Sequence, residues 1–418
     1  MQKVFPLYKW LKIALFNLLI VALLGLTMRY KIAFSLPFVD QKHLLHAHSH
    51  FAFSGWITQA LMAILVSYIF RRTNYETVKK YTPVLIANLV TSYGMLLSFP
   101  FQGYGIFSIT FSTLSIFTAY YFAIIYWKDL KLIKPAVTHL WFKAALIFNA
   151  LSSLGAFSLA FMMAEGSVNQ HAYLASIYYF LHFQYNGWFF FAAMGLLNNK
   201  LFENGAEESK LKKVFFYFVL SCIPSYFLSV LWLKIPMWLY VLIVVSAFLQ
   251  LVGWAKMLGI IKKQLPILRS RLSPLALWLL GFSGFALTIK LILQAGSVIP
   301  KLSKISYAFR PIIIGYLHLV LLGVFTLSIL GYIMAYKIVI PRKKAWLGIV
   351  VFTTGIILNE LILFVQGVTA MNYIHVHYMN EALFGAALIM FSGLLIIMIM
   401  VREPRSEEKL PLPPKGGL

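Results

Sequence analysis

Apolar runs long enough to cross the ~30 Å hydrocarbon core of a bilayer recur along this chain, near 11–28, 45–70, 81–99, 104–127, 138–163, 172–198, 212–233, 236–261, 272–295, 310–337, 345–367 and 378–401. Hydrocarbon offers a peptide group no hydrogen-bond partner, so each run must satisfy its own backbone. The chain therefore reads as an all-α, polytopic membrane protein of about twelve transmembrane helices. A content of 61% hydrophobic and 11% charged residues over 418 positions excludes a soluble domain. The first run is followed by neither a small-residue cleavage site nor a polar domain, and reads as a retained helix. A single transmembrane domain, 1–401, would then carry a tail, 402–418, whose charge and proline content (REPRSEEKLPLPPKGGL) predict disorder.

Basic residues set the orientation. Lys3, Lys9 and Lys12, RRTNYETVKK, KDLKLIK, Lys200 with KLKK, Lys256 through Arg271, KIVIPRKK and the tail fall on one side of the twelve-span pattern. The positive-inside rule puts that side, and both termini, in the cytoplasm. The expected location is the inner (cytoplasmic) membrane. The net charge of +24 is spread over every loop on that side, which fits acidic lipid headgroups and gives no reason to invoke nucleic acid. The lipid bilayer is the expected partner.

Within the spans one pattern repeats. His50 opens HFAFSGW in span two, His182 opens HFQYNGW in span six and His318 opens HLVLLGV in span ten, each with glycine five residues on. The separations are 132 and 136 residues, or four helices, so twelve spans read as three four-helix arcs in a pseudo-threefold arrangement. At ~1.5 Å per residue, all three histidines lie in the outer half of the membrane. The glycine is expected to let a flat ligand or a neighbouring helix approach closely. Intramembrane ionisable groups are costly and commonly mark a site, although each histidine could simply bond another helix.

Twelve spans, cytoplasmic termini and histidines in spans two, six and ten resemble subunit I of the haem-copper oxidase superfamily, which includes the cytochrome oxidases and nitric oxide reductases. The resemblance covers most of the chain and rests on topology and histidine placement. It implies a b-type haem held by His50 and His318 as axial ligands, with His182 beside a second metal, copper or another transition metal. It also implies an electron donor or redox partner subunit of the respiratory chain, and a small gas ligand. Neutral imidazole is a good iron ligand, and two from facing helices suit a low-spin haem. The chain departs from the family at the dinuclear centre. It has HFQYNGW in place of His-Pro-Glu-Val-Tyr, no histidine in span seven, and Tyr316 where the first histidine of the span-ten pair would fall. Catalytic residues are therefore not assigned.

Further histidines lie toward the outer rim. His43, His46 and His50 share one helix face and His48 points away from it. NYIHVHYMNEALFG places His375 and His377 at the opening of span twelve, where a helix would turn the two rings about 200° apart. His46, His48, His375 and His377 are candidate ligands for copper or zinc, or else are histidines at a wet interface. Glu360, Glu381, Lys290 and Asn149 lie within spans and could form a proton path or pair structurally. The single cysteine, Cys222, excludes a CxxCH haem attachment and a two-cysteine copper centre.

The leading expectation is a haem-binding membrane protein for electron transfer or for binding oxygen or nitric oxide, with a degenerate or rebuilt metal centre. A permease passing a metal ion or small solute along the histidines is one alternative. A nitric-oxide-responsive protein without turnover is the other.

Overall fold

The computed structural model describes residues 4–166, 169–303, 309–338, 340–341 and 345–403; nearly all of the expected tail lies outside them. It is all-α. Eleven of the described helical segments are long and apolar enough to cross a membrane: Leu7–Phe34, Gln41–Phe70, Tyr75–Gln102, Ile106–Leu130, Val137–Ala164, Glu208–Val230, Met237–Arg271, Pro274–Gly296, Arg310–Ala335, Ala345–Met371 and Met379–Met400. Span six is also helical, from Gln170 to Glu203. Its His182, Gln184, Asn186 and paired tyrosines dilute its apolar character, so it falls short on composition rather than on length. This is a multi-pass membrane protein, and Leu97, Phe117, Leu220, Val245, Phe285 and Phe364 are exposed on its helices as a lipid solvent permits.

Helix starts follow local chemistry. The side chains of Asp40, Asn74, Asn169 and Ser273 accept hydrogen bonds from the backbone N–H of His43, Thr77, Ala172 and Ala276. Each satisfies a donor that the first helical turn leaves orphaned.

The chain forms two compact units, residues 1–134 with 329–418, and residues 135–328. In the first unit, α1 (Leu7–Phe34) packs against span two, and α5 (Tyr81–Gln102) packs against α6 (Ile106–Leu130) and the start of span two, α2 (Gln41–Phe51). Span two is the central element: 89% of its apolar window is buried, against at most 44% for the other ten. Where α6 ends, buried Asp129 accepts from Lys80 Nζ and from the Tyr81 hydroxyl, each at 2.6 Å. The final two helices, Ala345–Met371 and Met379–Met400, meet backbone to backbone through glycines. A Cβ at Gly393 would come within 2.4 Å of Phe352 N, and one at Gly355 within 2.7 Å of Met390 N. A two-residue antiparallel pairing, Ile340–Pro341 with Val401–Arg402, closes this end.

In the second unit, α7 (Val137–Ala164) packs along span six, α10 (Glu208–Ser225) on α11 (Met237–Arg271), and α11 on α12 (Pro274–Gly296). Trp141 anchors an aromatic core with Phe191 and Phe215, at ring separations of 5.3 and 5.2 Å.

Gly393→Val should overpack the glycine contact, costing about 1–3 kcal/mol and lowering Tm in detergent. Gly385→Val, on the same helix with nothing within 4 Å of its Cβ position, should leave Tm unchanged.

Candidate functional site

Each of the three histidines of the repeat stands one or two residues ahead of a π-helical segment. His50 precedes Ala52–Thr58, His182 precedes Phe183–Phe189 and His318 precedes Leu319–Thr326, and each segment contains the repeat glycine. Among the described residues π-helix occurs only at these three places. A π turn adds one residue to the helical turn, re-aims the side chains around it, and occurs most often at functional positions.

The extra residue disturbs the i→i−4 ladder, and neighbouring helices supply side-chain donors to carbonyls in each segment. In the first, Asn17 Nδ2 of α1 donates to Gly55 O at 2.7 Å and Asn88 Nδ2 of α5 to Ser54 O at 3.1 Å. Asn17 is itself held by the Tyr93 hydroxyl at 2.7 Å, and Asn88 also donates to Gln59 Oε1. In the second, the Cys222 thiol makes a weak contact to Asn186 O at 3.8 Å. In the third, Ser283 Oγ of α12 donates to Val324 O at 2.8 Å. Asn88 and Cys222 play the same part, each placed on the following span and aimed at the carbonyl four residues past the histidine.

The glycines serve packing. A Cβ on Gly187 would strike Phe148 at 2.5 Å, one on Gly323 would press Ala286 at 3.1 Å, and Gly55 lies under the ring of Phe51. The close approach expected there is made by a neighbouring helix at two positions and by the span's own phenylalanine at the third.

Around span two, His50 stacks on Phe99 at 4.5 Å with an interplanar angle of 20°, and its Nε2 lies 3.3 Å from the Tyr104 hydroxyl. His46, one turn earlier, meets Tyr104 edge-on at 4.6 Å, and its buried Nε2 has no hydrogen-bond partner. His43 completes the row, its ring filling the space left by the missing side chain of Gly103, which has φ +57°. The chain turns there to deliver Tyr104. His48 faces the other way, as its helical position requires: its Nδ1 lies 3.1 Å from Val21 O on α1, and Gly25 makes room for the ring. So His46 and His50 share a site that His48 does not join.

His182, 1% exposed, is occupied on both sides. Its Nε2 donates to Cys222 O at 2.8 Å, so Nδ1 accepts from Asn186 Nδ2 at 3.1 Å. His318 ends the helix Arg310–His318. The segments that follow His182 and His318 touch through Phe189 and Phe325, with ring centroids 5.6 Å apart, and Tyr185 meets Tyr316 at 6.4 Å.

His375 and His377 are not in a helix. Tyr378 takes a left-handed conformation, φ +61°, and the last helix starts only at Met379, so the two rings sit in an exposed loop 5.0 Å apart at 82°. The 200° divergence expected of a helix does not apply. Among the described residues no three His, Cys, Asp or Glu side chains form a metal-ligating group. A protein-only three-ligand copper or zinc centre therefore finds no donor set there. A porphyrin iron asks for only one or two imidazoles, and the unpartnered Nε2 of His46 and the aromatic-walled ring of His50 fit that requirement.

The buried polar residues divide between the units. Glu360 accepts from Asn359 at 3.1 Å, in the first. Asn149 accepts from Gln184 at 2.9 Å, in the second. Asn17, Asn88, Phe99 and Tyr104 had not been singled out in the sequence. The two asparagines could have been found as lone amides in apolar runs, whereas nothing marks Tyr104.

Fold and site together define a multi-pass α-helical membrane protein built on a histidine and π-turn repeat. No protein-family model and no curated protein sequence matches the chain.

The Asp40 carboxylate is held below its ordinary value by the backbone N–H of His43, 2.7 Å away. A depressed carboxylate stabilises above its unfolded value and loses that contribution as pH falls through the folded one. Acidification into that window should lower the hydrogen-exchange protection of the His43 amide relative to its intrinsic rate at the same pH, and Asp40→Asn should remove that loss of protection. Separately, Asn17→Leu should remove the bond to Gly55 O and take away the acceptor of the Tyr93 hydroxyl, costing about 1–3 kcal/mol, read as a lower Tm.

Proposed function

We propose that this chain is a haem-binding integral membrane protein of the haem-copper oxidase subunit I type, serving electron transfer or the binding of oxygen or nitric oxide. The observation that carries the reading is the placement of His50, His182 and His318 one or two residues ahead of a π turn in spans two, six and ten. A second support is His46 Nε2, a buried imidazole nitrogen left without a partner beside His50. The group is a b-type haem. In this reading His50 and His318 would hold it, with His46 the other imidazole on the His50 face of span two. Bound there, the haem would supply a one-electron couple or a site for a diatomic gas.

The protein's own residues do the rest. Phe99 and Tyr104 hold the His50 ring, and the stack on Phe99 fixes its plane. Asn17 and Asn88 tie the π segment behind it to α1 and α5. With both nitrogens of His182 engaged by Cys222 and Asn186, this imidazole is a packing group rather than a metal ligand. The catalytic metal centre is thus degenerate, and redox relay or gas sensing fits better than oxygen reduction. The protein lies in the cytoplasmic membrane with both termini inside and draws electrons from a donor or partner subunit.

Purified from cells with ample haem, the wild type should show the split reduced spectrum of a low-spin haem. His50→Ala and His318→Ala should abolish it, and His171→Ala, at an exposed position, should keep it. A colourless wild type would overturn the reading. Oxygen consumption with a chemical reductant should stay at background, whereas steady turnover lost in His182→Ala would show a working second metal site. Cysteines introduced into residues 71–80 should react only from the cytoplasmic side.

A further inference from the structure

Lys290 lies inside the second unit, 4% exposed, on α12 about 9 Å along the helix axis from its Gly296 end. Among the described residues no hydrogen bond or ion pair reaches its amine. The sequence explains why. The carboxylates of residues 135–328 are Glu165, Glu203, Glu207 and Glu208, and all stand at helix ends. The membrane interior of this unit holds a cation and no anion of its own.

On α12 the buried polar side chains Ser283, Lys290 and Gln294 share one helix face. Gln294, one turn along the same face, donates through Nε2 to Gln250 Oε1 at 3.1 Å, and Gln250 in turn donates to Ser225 Oγ at 2.7 Å. Gln294 Oε1 is buried and has no partner. An amine and a carbonyl oxygen one helical turn apart, neither with a partner, are half of a site: they call for a negative charge accompanied by a hydrogen-bond donor.

We propose that the second unit binds a small hydrated monovalent anion, of chloride or nitrite size, on the ammonium of Lys290. A water of that anion donates to Gln294 Oε1. An intramembrane cation without a counter-ion is costly, and a mobile anion removes the cost without requiring a carboxylate in the chain. The Gln250 and Ser225 hydrogen bonds hold Gln294 in place for the purpose.

The test is thermal unfolding of the full-length protein in detergent at constant ionic strength, with chloride or nitrite replacing gluconate. The wild type should gain Tm saturably, by roughly 5 °C at a hundredfold excess over Kd. Lys290→Arg should keep the response and Lys290→Met should lose it. A wild type indifferent to chloride and nitrite, or a response that persists in Lys290→Met, would overturn the proposal. Should Lys290→Met fail to fold, equilibrium dialysis of the wild type with radiolabelled chloride decides: one ion retained per chain supports the site, and none retained rejects it. The haem spectrum has no part in this readout, so the two proposals fail separately.

Discussion

In hydrocarbon no water completes a backbone hydrogen bond, so an irregular turn of helix is held by what the neighbouring helices add to it. That constraint organises the centre of each unit. The π turns at Ala52–Thr58, Phe183–Phe189 and Leu319–Thr326 each offer a carbonyl to a donor on another helix. Asn17, Asn88, Cys222 and Ser283 answer from α1, α5, α10 and α12. Each such bond contributes about 1 kcal/mol beside the backbone bonds that Ser54 O and Val324 O keep to Gln59 N and Leu327 N, so the irregular backbone and the helices around it hold one another. Packing reinforces the coupling: Gly187 and Gly323 bring span six against Phe148 and span ten against Ala286.

The same local motif is put to different use in the two units. At His182 the following span presents the carbonyl of Cys222, and Asn186 on its own turn takes the other nitrogen. This ring is spent on structure. At His50 the following span presents Phe99, and the loop beyond presents Tyr104, so the ring is gripped by aromatic faces and one long hydroxyl contact. The difference comes from what the next helix offers at one level, carbonyl against phenyl. A histidine held by its faces keeps a nitrogen lone pair for a ligand; a histidine held by both nitrogens does not.

The spans were legible because composition and run length are what hydrocarbon selects, and the histidine period was legible because it needs only identity and spacing. The facing of His48 away from His46 and His50 followed from ~100° per residue along a helix. The π turns were not legible. Glycine five residues after histidine is compatible with an ordinary α-helix, and an inserted residue leaves no mark in a single sequence. Tyr104 reaches His50 only because Gly103 takes φ +57°, a tertiary fact that no spacing encodes. Whether His375 and His377 belong to the last helix was open in the sequence, because they run without a break into the last apolar stretch; Tyr378 at φ +61° settles it by interrupting the chain there.

Charge shows how differently the two units meet the demand of the bilayer. In the first, Glu360 accepts from Asn359 and Asp129 accepts from Lys80 and Tyr81, so each buried carboxylate has a donor within its own unit. In the second, every carboxylate is at a helix end and the buried amine of Lys290 is left to its amide neighbours. On insertion scales a lysine near the bilayer centre costs about 3 kcal/mol. Gln294, one turn along the same helix, offsets part of that through its dipole, but its amide is already bonded to Gln250, and Gln250 to Ser225. The amides can orient toward a charge; they cannot neutralise it. A unit with this composition is stable with Lys290 charged only when something from outside the chain completes it, so the ionic composition of the medium belongs to its stability as much as the packing of its helices does.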